Sequence, residues 1–363
     1  MKIKFLSYLI IVTMIFSSCA TSSYLNENLE SLNEYAELIN SFKSSKSIFG
    51  SPVATKNDVV IIGAHDKSIY FFDKSGELKS SYKTDGWVHA SPSVLSDGSI
   101  AVGSYDGYIY FFSEEGKLKK KVKPGSGSMF TSIIELPNRL LVFGSNKKGV
   151  IFYNRQDSTI HTYPVKRWVH GTPKLIGKDK IVIGSNDNYV YILDNNAKLQ
   201  SKFKTKGWIM HSGPSAISQT DFAVGSYDKN LYICNTSGKL ISSFKTKGRI
   251  HGTPLALKDS KIVFGSFDRF IYFLKPDGTL FKKFKTRKKI VSSPIVLNDG
   301  TIVVGSYDKH LYFFSQQGVY LGSYKTKGRI FSTPIVLSNN TLVVCSTNGN
   351  IEFLRVKPHL TDL

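Results

Sequence analysis

The sequence predicts an all-β protein: a single eight-bladed β-propeller of four-stranded antiparallel blades, closed by an N-terminal outer strand that completes the C-terminal blade. Three observations predict it. First, the glycine of a Gly-Ser or Gly-Ala pair recurs at Gly63, Gly103, Gly144, Gly184, Gly225, Gly265 and Gly305, every 40 or 41 residues, and Cys345-Ser346 makes an eighth step. Second, each period holds four short apolar runs. In 292–333 these are SPIVL, IVVGSY, HLYFF and VYLGSYK, rich in Val, Ile, Tyr and Phe and bounded by Gly, Asp, Asn or Lys, the pattern of short strands. Four such strands cannot bury their apolar faces alone, so each unit must stack on its copies. Third, the count of outer strands is off by one at the C-terminus. The chain ends soon after IEFLRV (351–356), yet ELINSFKSSKSIFGSP (37–52) aligns without a gap on KLISSFKTKGRIHGTP (239–254). The front of the chain therefore supplies the strand the last repeat lacks, which leaves no open sheet edge.

Taken in order, residues 1–18 begin with Lys2 and Lys4, continue through the apolar run FLSYLIIVTMIF and end in small residues. These are the parts of an export signal, too short for a membrane span. Phe16-Ser17-Ser18-Cys19 resembles a bacterial lipoprotein cleavage box. The resemblance implies a lipidated Cys19, and Ala20 behind it, with no acidic residue, implies the outer membrane. Residues 19–36 are polar, lack the repeat and read as a tether. Residues 37–357 are the propeller, and 358–363 form a C-terminal tail.

Within each repeat a proline opens the first strand, at Pro52, Pro92, Pro173, Pro214, Pro254, Pro294 and Pro334, with Ile133 in the third slot. The turn between the second and third strands carries Asp66, Asp106, Asp187, Asp228, Asp268 and Asp308. Aspartate suits such a turn because it caps local amides. Spread one per blade, these acids do not form a cation site. Gly76, Gly116, Gly238, Gly278 and Gly318 mark the next turn. Cys234 and Cys345 fall in different blades and read as small core residues rather than a disulfide.

Formal charge is +21, or +19 without Lys2 and Lys4. Such an excess speaks for solubility and for anionic partners, not for a fold. It is concentrated in the loops that leave each fourth strand: KSSK, KTDG, Lys123, VKRW, KTKG, KTKGR, KTRKK and KTKGR together hold 18 Lys or Arg, most of them in blades six to eight. One rim of the ring is thus expected to be basic, a dock for an acidic protein surface or another anionic surface. Nucleic acid fits the charge but not an exported protein.

The segments that enter the first strands carry the candidate binding residues. WVHAS, WVHGT, WIMHSG and RIHGT place His89, His170, His211 and His251 at matching positions, with Phe49, Phe130, Val291 and Phe331 in the other four blades. In a propeller this strand lines the central channel, where imidazoles on adjacent blades have the chemistry to hold a metal or an anion. The slot also accepts any mid-sized apolar side chain, so no metal is assigned. Two or three residues earlier stand Trp87, Trp168 and Trp208, or Arg249, Lys289 and Arg329, giving a rim part aromatic and part cationic.

The repeat SPSVLSDGSIAVGSYDGYIYFFSEEGKLKKKVK resembles the pyrroloquinoline-quinone-type propeller repeat over about 37–356. That is the fold of quinoprotein alcohol dehydrogenases and of the propeller lipoprotein in the outer-membrane barrel assembly machinery. The Ser-Pro opening, the Gly-Ser pair, the Ile-Tyr step and the turn glycine match. The family's docking tryptophan does not: Ser80, Lys120, His161, Ser201, Ser242, Lys282 and Gly322 hold that slot, with Tyr82, Tyr163, Phe203, Phe244, Phe284 and Tyr324 two residues on. Quinone chemistry in this family needs adjacent cysteines and a calcium site, and the chain has no Cys-Cys pair. No nucleophile elbow, zinc helix or phosphate loop occurs either. The expectation is a non-enzymatic, cofactor-free, monomeric scaffold in the cell envelope. A glycan- or anion-binding module is the alternative, and a quinone-dependent dehydrogenase ranks last.

Overall fold

The computed structural model describes residues 35–125, 127–147 and 149–357. Signal segment, Cys19, the tether up to residue 34, Lys148 and the C-terminal tail lie outside the described residues. Among the described residues there are 32 strands, β1 (Ala36–Lys43) to β32 (Asn350–Val356) in chain order, and no helix. They form eight four-stranded antiparallel sheets, seven of them built from four consecutive strands. Within each, the first strand is short (Val53–Ala54, Ile295–Val296) and the next two are almost wholly buried (Val60–Gly63, Ser68–Phe72), while the fourth is largely exposed or half-buried (Leu78–Lys83, Leu118–Val122). The inner strands read as continuous apolar runs because both their faces lie against other sheets.

The eighth sheet has the order β1-β32-β31-β30, with β30 at Ile335–Val336 and β31 at Thr341–Cys345. β1 runs antiparallel to β32 from Ala36 opposite Val356 to Lys43 opposite Asn350, with a bulge between Leu38 and Asn40. Tyr35, just ahead of β1, is buried with its ring 4.7 Å from that of Phe313 in the neighbouring blade.

Packing closes the ring. Eight apolar clusters fill the eight gaps between neighbouring blades, including one that joins blade eight (Val343, Ile351, Phe353) to blade one (Val60, Ile62, Phe72). Every outer strand contributes a side chain at the slot two past the missing tryptophan. Phe42 packs on Tyr70 and Phe72, and Phe284 packs on Tyr312 and Phe314. The Gly of the Gly-Ser pair is explained by close approach. A Cβ on Gly184 would sit 2.2 Å from Ile209 Cγ2 of the next blade, and one on Gly305 2.4 Å from Ile330 Cγ2, distances no side chain tolerates. Cys234 and Cys345 are buried and unbridged, and burial pushes the Cys234 thiol up to about 12.

The turn aspartates staple blade to blade. Asp228 accepts from the Asn230 amide (2.9 Å) and the Tyr232 hydroxyl (2.8 Å) of its own blade, and from the Lys206 amide (2.8 Å) of the incoming loop. Asp66, Asp106, Asp187, Asp268 and Asp308 repeat the pattern. Blade eight moves the carboxylate: Asn348 takes the aspartate slot and Glu352 the tyrosine slot. The fully buried Glu352 accepts from the Lys327 amide at 2.9 Å and lies 3.4 Å from the Tyr324 hydroxyl. Blade three has Lys147 and Ile151 in these slots and so has no staple.

Candidate functional site

The loops that leave the outer strands and the segments that enter the inner strands meet on one face, because the aspartate turns of that face bind the loop amides directly. Each entering segment is pinned twice. Its first buried residue (Val88, Val169, Ile209, Ile250) packs on the glycine of the preceding blade. The carbonyl before it accepts an amide from the turn beside it: Tyr105 N to Trp87 O at 2.8 Å, Asn186 N to Trp168 O at 2.9 Å, Tyr227 N to Trp208 O at 2.8 Å, Phe267 N to Arg249 O at 2.9 Å, Tyr307 N to Lys289 O at 3.1 Å, and Thr347 N to Arg329 O at 2.9 Å. These six rim residues thus occupy equivalent backbone positions.

The structure brings the four predicted histidines together in the channel with Phe49, Phe130, Val291 and Phe331, leaving a cavity of about 120 Å³ walled otherwise by Ser, Thr and Gly. Imidazole centroids lie 4.7 Å apart for His211 and His251, 5.3 Å for His170 and His211, and 5.7 Å for His89 and His211. Desolvation lowers the pKa of His89 to about 3, of His251 to about 4, and of His211 well below the usual imidazole range; repulsion from neighbouring imidazoles adds to it at His89 and His211, while at His251 the Val291 carbonyl acts against it and Lys289 and then His170 add to it. Desolvation alone takes His170 to about 4. The plug is therefore a stack of neutral rings at neutral pH. His251 Nδ1 lies 3.3 Å from Val291 O, whereas both ring nitrogens of His170 are buried without a protein partner. Among the described residues no group of three or more His, Cys, Asp or Glu is arranged to hold a metal ion.

Two features depart from the sequence expectation. His211 is not at the matching position. WIMHSG has one residue more between its tryptophan and Pro214 than WVHAS has before Pro92. The extra residue is absorbed as a bulge with His211 at φ +62°, so Met210 takes the rim side and His211 the channel. A fifth histidine also joins the cluster. His65 Nε2 is 3.0 Å from His89 Nδ1, and its ring stacks on Trp87 at 4.9 Å. It follows the Gly-Ala pair where Tyr105, Tyr227, Phe267 and Tyr307 follow Gly-Ser, so aligning that slot across the repeats would have found it.

Above the plug, Trp87, Trp168 and Trp208 are 50%, 51% and 44% exposed. The Arg249 guanidinium lies 5.1 Å from the Tyr227 ring centre, and Lys289 Nζ lies 4.6 Å from both Phe267 and Tyr307. Blades three and four place Asn146 and Asn186 in the slot that holds a ring in blades one, two, five, six and seven. A groove of about 380 Å³ opens there between Trp168 and Trp208, floored by Val165 and Met210 and edged by Lys147, Lys166 and Arg167. The ion pairs of the described lysines and arginines, such as Lys79–Asp73, Lys180–Asp179 and Lys261–Asp259, involve none of Lys147, Lys166, Arg167, Lys206, Lys247 or Lys288.

No protein-family model and no curated protein sequence matches the chain. Among solved structures it is similar to BamB from Moraxella catarrhalis, with 15% identity and a TM-score of 0.73 over 88% of this chain and 99% of that one. It is equally similar to the computationally designed Ika8 protein, with 16% identity and a TM-score of 0.74 over 88% of this chain and 100% of that one. One match is natural and the other designed, so what they have in common with the chain is architecture rather than activity. On this likeness and its own eight sheets, the chain has the eight-bladed β-propeller fold.

Proposed function

We propose that the chain is a non-catalytic propeller scaffold of the cell envelope, anchored through lipidated Cys19, monomeric, and docking a protein partner on its basic, tryptophan-bearing rim. The carrying observation is the set of rim cations without acidic partners beside exposed tryptophans, since aromatic and cationic side chains dominate docking surfaces and set their on-rates. The resemblance to the propeller lipoprotein of the barrel assembly machinery points to outer-membrane protein assembly as the process. Crosslinking and mass spectrometry in native membranes tests this. Crosslinks from Lys166, Lys206 and Lys288 to one envelope protein, lost in a Trp168→Ala/Trp208→Ala variant, support it. Copurification with the barrel-assembly core supports the finer assignment, and a mild-detergent pull-down free of that core removes it.

The open groove between Trp168 and Trp208 also favours a second reading, a glycan- or anion-binding module that uses the same rim. A glycan array without hits, or with hits unchanged in Trp168→Ala and Arg249→Ala variants, rules that reading out.

A further inference from the structure

The interface between blades two and three carries a second cavity, on the opposite face of the ring. Its origin is a missing glycine turn. At four other interfaces the turn before the fourth strand lays its glycine over an apolar side chain of the preceding blade, while blade four has Ala197 in that turn and Gly238 of blade five faces Ser201. A Cβ on Gly76 would meet Phe353 at 2.7 Å, on Gly116 Phe71 at 3.0 Å, and on Gly318 Phe273 at 3.3 Å. Small polar residues of the outer strand then fasten the turn: Ser80 Oγ donates to Glu115 O at 3.0 Å and Ser201 Oγ to Thr236 O at 2.9 Å. Blade eight has no such turn, and there the ring of Tyr35 covers Phe313 at 4.7 Å.

Phe111 of blade two is the equivalent residue at the next gap. The turn of blade three reads NRQDST, one residue longer than its counterparts and without glycine, with Ser158 taking the positive φ of 62°. It reaches blade two through Arg155 rather than through a glycine. Lys120 stands where Ser80 and Ser201 fasten the turn elsewhere, and a cavity of about 420 Å³ is left, lined by Phe111, Tyr153, Lys119, Lys120, Arg139 and Arg155. The Arg155 guanidinium lies 5.6 Å from the Phe111 ring centre and is held there by Asp97 and by Ser99 Oγ (3.0 Å). The guanidinium is thus fixed beside Phe111. Asp97 is the one carboxylate in the lining, and Arg155 already pairs with it.

We infer that this cavity binds a small aromatic anion, a ring bearing a phosphate or carboxylate. The ring stacks on the fixed Arg155 guanidinium beside Phe111, and the anionic group is taken by Lys119, Lys120 and Arg139. The volume lies within the range of small-ligand pockets. A guanidinium held in place by hydrogen bonds is suited to stacking a planar ligand; Lys119 and Lys120 have no acidic partner in the lining, and Arg139 lies 4.0 Å from Glu135. The site is separate from the rim, so it stands or falls independently of the proposed docking role.

The test uses the whole chain from the tether onward, with phenyl phosphate, benzoate, cyclohexanecarboxylate and inorganic phosphate followed by calorimetry and by NMR shift mapping. Phenyl phosphate and benzoate are expected to saturate and to perturb Phe111 and Tyr153. Cyclohexanecarboxylate and inorganic phosphate should bind at least tenfold more weakly. Lys120→Ser installs the residue found at this slot in blades one, four and five, so the fold is kept, and with Arg139→Ala it should weaken phenyl phosphate about 10- to 100-fold. Three results overturn the inference: no saturation by either aromatic anion in the millimolar range, inorganic phosphate binding as tightly as phenyl phosphate, or unchanged affinity in the folded double variant.

Discussion

The histidine plug makes the fold acid-sensitive in a way that can be worked out residue by residue. His170 and His251 are each 5% exposed, and their folded pKa values are lowered from 6.5 to about 4. A lowered imidazole pKa means that the unfolded chain binds protons that the native state refuses. Nothing is lost above the unfolded pKa, and stability falls as pH drops through it, reaching its floor near the folded value. Between pH 7.5 and 5.5 this is about 1.3 kcal/mol for each histidine, about 3 kcal/mol for the two, a substantial share of the 5–15 kcal/mol typical of a domain. His89, His211 and His65 face the same space and shift in the same direction, and Lys289 adds its repulsion at His251. Carboxylates act elsewhere on the pH scale. Asp66 and Asp308, held low by hydrogen bonds, lose their contribution only below the carboxylate range, and Glu352, raised by burial, has the opposite sign. The perturbation is therefore His170→Phe with His251→Val, side chains the same slot already accepts in blades three and seven. Urea unfolding at pH 7.5 and 5.5 should show the wild type losing about 3 kcal/mol more than the double variant over this interval. An equal loss in both proteins, or an imidazole NMR titration placing His170 near 6.5, would refute the account of the plug.

Two further outcomes follow from packing. Gly184→Ala forces a methyl group to within 2.2 Å of Ile209 Cγ2 and should cost about 1–3 kcal/mol, read from the urea midpoint; a loss below about 0.5 kcal/mol would show that the blades are not packed this closely. Glu352→Tyr leaves the Lys327 amide without its acceptor and should cost about 1–3 kcal/mol, while adding Asn348→Asp rebuilds the staple of the other blades and recovers most of it. Additive losses in the double variant would mean that the two positions do not exchange roles.

The repeat was legible because each of its parts has a distinct physical cause. Gly63, Gly103 and their successors recur since two blades touch there. The strand at 36–43 could be placed by aligning 37–52 on 239–254, because the same alternating face must cover the next blade whichever end of the chain supplies it. What escaped were the breaks in the repeat. The bulge at His211 comes from a single added residue, invisible to a match by residue type. His65 belongs to a different slot from the other histidines, and only folding brings the two slots into one channel. Neither groove could be read from spacing, since each is a place where a side chain or turn fails to arrive: Asn146 and Asn186 for a ring, NRQDST for a glycine turn. Cys19 and the signal segment rest on sequence alone.

The pairing of β1 with β32 also has a mechanical side. Any pull transmitted from the chain ahead of Tyr35 enters the ring at one end of a two-strand lap joint. If it acts along the strands, it must shear the whole hydrogen-bonded ladder from Ala36–Val356 to Lys43–Asn350 together rather than peel it rung by rung. Tyr35, wedged on Phe313 at the loaded end, adds a stop. The joint that closes the circle is thus also its strain relief.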